Sequence, residues 1–203
     1  MKSTIAAIDF GTSKIVTLVA ETSGSQRCDI VGAGTSMYDG FLDGEWNNTM
    51  ALNEAIQKSI SEAENQSKRK IREINVGVPG EFTRVYAVET SVTIQGADPR
   101  VTPRHVEKIF ANADKRLSPV RGVVVHRSPA WFMVDGGKKT LEPVGLKGNE
   151  LKALVSFVVA DTFFLDDVMA RLRDMNITVS GFFSSSTGEA MLYLLEEDRD
   201  RTA

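Results

Sequence analysis

Near the N-terminus, Ile8-Asp9-Phe10-Gly11-Thr12-Ser13-Lys14 brings together a carboxylate, a glycine turn, two hydroxyls and an amine. A strand running into this segment puts Asp9 at its end, pointing into a cleft. Gly11 lets the backbone approach a ligand closely. Successive turn N–H groups at Gly11, Thr12 and Ser13 can form a nest for phosphate oxygens. Thr12 and Ser13 add hydroxyl donors, and Lys14 adds a positive charge. Asp9 suits a hydrated Mg²⁺, which keeps several waters and takes one or two carboxylates. The same residues also describe an ordinary β-turn of turn-prone residues. Residue types alone leave the two readings level. A catalytic role for His126 needs a partner base or nucleophile, and none stands out, so no catalytic residue is assigned.

The elements around this segment read as strand, turn, strand. Thr4 to Phe10 and Lys14 to Glu21 are apolar and β-prone, and Cys28 to Ser36 reads as a third strand. Tyr38 to Asn48 carries the turn signals Asp39-Gly40, Asp43-Gly44 and Asn47-Asn48. From Thr49 to Arg69 the period becomes helical, with Leu52, Ala55, Ile56, Ile60 and Ala63 on one face. Asn48 is the expected N-cap, and Lys68, Arg69 and Lys70 suit the negative end of the helix dipole or a solvated helix end. Ile71 to Val78 is a strand closed by Pro79-Gly80.

The rhythm then changes. Arg84 to Ile94 alternates like a half-exposed strand. Thr102-Pro103 opens a helix with the stripe Val106, Ile109, Phe110 and Ala113. Gly122 to Val134 and Leu151 to Ala160 read as strands, with the turn Asp135-Gly136-Gly137 between them. Residues 81–164 are therefore expected to form an α+β unit inserted in a lobe made of 1–80 and 165–203. The lobe returns with a helix over Phe164 to Met175 and a strand over Ile177 to Phe183. Ser186-x-x-Glu189 reads as a capping box opening a helix through Leu195.

Composition bounds the function. Lys and Arg total 24 and Asp and Glu 27, a formal charge of −3, so the chain as a whole has no electrostatic pull toward nucleic acid. The single cysteine, Cys28, excludes an internal disulfide and a cysteine-rich zinc site. The two histidines, His105 and His126, leave little material for a histidine metal centre. No apolar run approaches the roughly 18 residues of a transmembrane helix, and the first residues do not read as a signal peptide. A cytoplasmic protein is the expectation. Cys28 is expected as a buried thiol, His126 as a hydrogen-bonded structural residue, His105 as exposed, and Asp166 and Asp167 as solvated helix charges. Gly145 and Gly148 are expected to shape a turn.

Further residues carry a resemblance. Asp-x-Gly-Thr between the first two strands looks like the first phosphate loop of the actin, chaperone and sugar-kinase superfamily. Gly40-Phe41-Leu42-Asp43-Gly44-Glu45-Trp46-Asn47 and Val76-Gly77-Val78-Pro79-Gly80 are similar to the bacterial cell-division family FtsA. So are His126-Arg127-Ser128-Pro129-Ala130-Trp131-Phe132-Met133-Val134-Asp135 and Glu142-Pro143-Val144-Gly145-Leu146-Lys147-Gly148-Asn149-Glu150-Leu151. The resemblance runs through essentially the whole chain but covers only the first half of that family's length. Ser184-Ser185-Ser186 departs from it, standing where relatives often have a more apolar, proline-containing segment.

What the resemblance implies is an α/β fold: an actin-like (ribonuclease H-like) lobe with a mixed sheet and helices, carrying a small inserted α+β subdomain. It implies ATP with Mg²⁺ at Asp9, Gly11, Thr12, Ser13 and Lys14, and at most a weak ATPase. The family's second phosphate loop, its FtsZ-binding second domain and its amphipathic membrane anchor are expected beyond these residues. The inserted unit would contact division proteins or further copies, with Arg84, Tyr86, Arg104 and Trp131 as candidate contacts. In the full-length family the location is peripheral to the inner membrane at the division site. A sugar-kinase-type phosphotransferase and a nucleotide-independent adaptor of the same superfamily are the alternatives.

Overall fold

A computed structural model of the 203-residue chain describes residues 3–23, 27–117 and 120–193. The chain divides into two units. One comprises residues 1–83 and 160–193, and the other is built from residues 84–159.

The first unit is built on β1 (Ser3–Phe10), β2 (Lys14–Ser23), β3 (Arg27–Met37), β6 (Glu73–Val78) and β10 (Thr178–Ser184), in the order β10-β6-β1-β2-β3. β1, β2 and β3 form an antiparallel meander, while β6 and β10 run parallel to β1. Numbered within this sheet the order is 3-2-1-4-5, the ribonuclease H-like arrangement expected for the lobe. Helix α1 (Thr49–Ser67) buries Leu52, Ala55, Ile56, Ser59, Ile60 and Ala63, the predicted face with Ser59 added. Asn48 caps it as expected, accepting from the N–H groups of Met50 and Ala51 at 3.1 Å.

The basic trio after α1 does not sit in the helix. Lys68 closes it in the left-handed conformation at φ 57°. Arg69 pairs with Glu21 at 2.9 Å and Lys70 with Glu64 at 2.5 Å. Strand β3 corrects a second expectation. Its buried residues are the small ones, Gly32, Gly34 and Ser36, while Cys28 and Ile30 are exposed. A Cβ at Gly32 or Gly34 would run into the α1 backbone at Ala63 or Ser59, so the helix can lie on this strand only because the side chains are missing. Gln66 and Glu62 of α1 accept the outward N–H groups of Ala33 and Thr35 at 2.5 and 3.0 Å, which closes part of the sheet edge.

The segment read as turns folds into a small hairpin, β4 (Phe41–Leu42) with β5 (Glu45–Trp46). Its rings join a cluster of Phe10, Phe41, Trp46, Phe82 and Phe164 with centroid distances of 4.8 to 5.9 Å. Helix α3 (Thr162–Asp174) starts earlier than predicted, capped by Asp161, and buries Phe164, Leu165, Val168 and Leu172. Met169 is exposed, against expectation. Asp167 is no solvated charge. It accepts from the Trp46 indole at 2.8 Å and pairs with Arg171 at 2.7 Å, and Arg171 reaches Asn53 of α1 at 2.5 Å.

The second unit has its own sheet of three antiparallel strands, β7 (Thr83–Thr93), β9 (Glu150–Ala160) and β8 (Val123–Val134), in the order β7-β9-β8. Helix α2 (Pro103–Leu117) buries Ile109, Ala113 and Leu117 in a core shared with Phe132, Leu151, Val155 and Phe157. The predicted turn holds Asp135 at φ 46° and Gly136 at φ 72°. The Asp135 carboxylate then accepts from the N–H groups of Asn149 and Glu150, tying the two ends of the long β8–β9 loop together. Gly145 takes φ 90° in that loop, as a turn there requires. Among the described residues, no helix is long and apolar enough to cross a membrane.

Candidate functional site

Three parallel strands, β1, β6 and β10, end on the same edge of the first sheet, and loops beyond the carboxyl ends of such strands are where open α/β sheets bind ligands. Asp9 stands at that end of β1, opposite Gly77 of β6, which in turn faces Phe183 of β10. Helix α4 (Ser185–Tyr193) follows β10 directly. The Ser185 hydroxyl donates to Asp9 Oδ1 at 2.5 Å. Gly77 makes this meeting possible: a Cβ there would overlap Asp9 Oδ1 and lie 2.7 Å from Ser185 Oγ. The cap of α4 differs from the prediction. Ser184 Oγ accepts from the Thr187 N–H at 3.2 Å, so the cap is Ser184 rather than Ser186. The predicted helix end at Leu195 lies outside the described residues.

The turn between β1 and β2 is shaped by one bond within the motif and by residues that the motif does not contain. Gly11 N–H donates to the Lys14 carbonyl at 2.9 Å. This closes the hairpin and removes Gly11 from the expected nest, leaving Thr12 and Ser13 as the turn's candidate N–H donors. Thr12, Ser13 and Lys14 are all exposed. From behind, Tyr38 donates its N–H to the Ser13 carbonyl at 3.1 Å and its hydroxyl to the Gly11 carbonyl at 2.7 Å. Burial, and after it the charge of Asp9, pushes the Tyr38 phenol well above the usual tyrosine range. It therefore stays a neutral donor to Gly11. Gly40, at φ 74°, lies so close that a Cβ would overlap the Thr12 carbonyl. Phe10, between Asp9 and Gly11, is buried against Trp46 and Phe164. The loop is thus pinned on its inner side and open on its outer side.

Among the described residues no group of three or more acidic, histidine or cysteine side chains could grip a metal ion. One half-buried carboxylate, Asp9, fits a metal held mainly by water and ligand oxygens, which is the habit of Mg²⁺. The chemistry open to this edge is therefore anion and metal-anion binding.

The candidate contact residues of the second unit divide. Arg84 and Arg104 are exposed. Tyr86 is half-buried against the unit's core. Trp131, the aromatic among these candidate contacts at the end of β8, is only 9% exposed, with the Lys139 ammonium 4.8 Å from its ring centroid. His126 is half-buried on β8. His105, expected to be exposed, is half-buried, and its Nδ1 accepts from Thr102 N–H at 3.0 Å at the start of α2.

Tyr38, Gly40, Gly77 and Ser185 were not read as site residues from the sequence. Gly40 and Gly77 lie within segments that carry the resemblance, and Ser185 lies in the segment that departs from it. Nothing local marks Tyr38.

A ribonuclease H-like sheet with a carboxylate and a hydroxyl-rich turn at the end of its first strand defines an actin-like lobe. Residues 80–159 match the family described as the SHS2 domain inserted in FTSA. Over 97% of its length the chain is 26% identical to cell division protein FtsA of Pseudomonas aeruginosa, covering 46% of that protein. It is 30% identical to FtsA of Streptococcus pneumoniae over 95% of this chain and 42% of that one. Among solved structures it resembles a chain of the PilM-PilN type IV pilus biogenesis complex, with a TM-score of 0.58, 14% identity and coverage of 92% of this chain and 49% of that chain, a likeness of fold. The chain is FtsA-like, carries the FtsA insert domain, and spans about half the length of the curated relatives it matches.

Proposed function

We propose that this chain supplies the first nucleotide-binding lobe and the protein-contact insert of an FtsA-like cell-division scaffold. ATP phosphates would lie over Gly11 to Lys14, taking hydrogen bonds from Thr12 and Ser13 and charge from Lys14. Asp9 would hold Mg²⁺ through water, and the metal would neutralise phosphate charge. The observation that carries this reading is the pinned loop: Tyr38 and Gly40 fix the turn from inside while Thr12, Ser13 and Lys14 stay exposed. The role of the lobe is positioning. Phosphoryl transfer needs charge stabilisation from several sides, and these residues supply one, so hydrolysis is negligible.

The insert, with Arg84 and Arg104 exposed, is the surface for further copies or division proteins. FtsZ would be engaged through a second domain of the family, and the scaffold would act in the cytoplasm, peripheral to the inner membrane at the division site. Equilibrium dialysis of ATP and Mg²⁺ against the 203-residue chain tests the nucleotide reading. The expected Kd is about 1 mM, at least tenfold weaker in Asp9→Ala, with turnover no faster than that of the variant. Rapid hydrolysis, or tight binding untouched by Asp9→Ala, would overturn it.

A further inference from the structure

We infer that Ser185 is a positioning residue for Asp9, setting the affinity of the site for the metal that accompanies the phosphates; this rests on the nucleotide reading above. A free carboxylate at a strand end rotates, and its two oxygens offer about four acceptor positions. Here Oδ1 is taken by the Ser185 hydroxyl at 2.5 Å, which holds the carboxylate in one orientation and leaves Oδ2 to accept from a metal-bound water. The sheet shows that this contact is built in. Gly77, opposite Asp9 in the register, lacks the one atom that would separate the two groups. Ser184 caps α4 through Thr187, which fixes the first turn of the helix and with it Ser185. The serine-rich segment thus has two tasks: Ser184 starts the helix and Ser185 reaches back to the loop.

Hydrogen-bond partners of metal-site carboxylates orient them, and removing such a partner typically costs 10- to 100-fold in metal affinity. The consequence is specific. Loss of the Ser185 hydroxyl should weaken the Mg²⁺-dependent part of ATP binding and leave the Mg²⁺-free part unchanged, because Thr12, Ser13 and Lys14 are untouched. A merely structural serine would lower thermal stability and weaken both parts together.

The experiment is a Mg²⁺ titration of ATP binding by the full 203-residue chain, followed by equilibrium dialysis, for the unaltered protein, Ser185→Ala, Ser185→Thr and Asp9→Asn. Melting temperatures are measured on each. The expected result is about a tenfold higher Mg²⁺ midpoint in Ser185→Ala, unchanged ATP binding in EDTA, and recovery in Ser185→Thr, which restores the hydroxyl. An unchanged Mg²⁺ midpoint in Ser185→Ala, with Asp9→Asn impaired, overturns the role of Ser185 and leaves the nucleotide reading standing. Equal weakening with and without Mg²⁺, or no recovery in Ser185→Thr when its melting temperature is normal, also overturns it. Absence of ATP binding in the unaltered chain removes both readings together.

Discussion

Alanine at position 77 is expected to lower unfolding free energy by about 2 kcal/mol and to weaken Mg²⁺-ATP binding at least tenfold. The added methyl would overlap Asp9 Oδ1 and press on Ser185 Oγ, so one of the two side chains must swing away. Over-packing of this kind costs roughly 1–3 kcal/mol, and the broken bond joins a hydroxyl to a charged acceptor, worth about 1.5–3 kcal/mol when lost. The site effect follows because Asp9 leaves its orientation. Gly188 provides the control. It lies in α4, and a methyl added there would meet nothing within 4 Å, so Gly188→Ala should be neutral or stabilise by up to about 1 kcal/mol. Urea unfolding of both variants measures the difference. A Gly77→Ala chain as stable as the parent, with binding intact, would remove the Asp9–Gly77–Ser185 packing as an explanation.

Phe164→Ala is expected to cost more, about 4 kcal/mol, in line with roughly 3–5 kcal/mol for emptying a buried aromatic site. Phe164 is fully buried, with its ring centroid 4.8 Å from Phe82, 5.6 Å from Phe10 and 5.7 Å from Trp46. Its loss leaves a cavity behind the residue that links Asp9 to the turn. Trp46 reports the change. In a Trp131→Phe background its emission should shift to the red and its quenching by iodide should rise, while the urea midpoint falls. An unshifted Trp46 spectrum with unchanged stability would show that the aromatic cluster is not the support of this edge.

Local features were legible in the sequence. Asp9 and the turn after it, the apolar face of α1 and the separate rhythm of the insert are each contained in one short stretch. What escaped was set by pairing between distant segments. Ser185 meets Asp9 across 176 positions, and Asp167 meets Trp46 across 121. No local period records either contact, so Ser185 carried no reading of its own beyond a segment that departs from the resemblance, and the indole acceptor Asp167 read as a solvated charge. Cys28 shows a different failure. Hydrophobic alternation assigns the apolar residues of β3 to the core, but α1 lies so close to Gly32 and Gly34 that neither could carry a side chain, and the register of β3 against β2 shifts between Ile30 and Gly32, with Cys28 and Ile30 exposed before the shift. Gly11 failed for a third reason. The hairpin needs its N–H, so the group that looked free for phosphate is bonded to the Lys14 carbonyl.

The most direct test of the phosphate loop is an amide chemical-shift map of the ¹⁵N-labelled chain titrated with Mg²⁺-ATP. The largest changes are expected at Asp9, Thr12, Ser13 and Lys14, with Ser185 and Ser186 responding at the facing helix start, and all of them needing at least tenfold more Mg²⁺-ATP in Asp9→Ala. Changes confined to other parts of the chain, such as the groove beside Lys70 and Arg72 at the far end of α1, with the turn at Thr12 and Ser13 silent, would contradict the assignment of this edge as the nucleotide site.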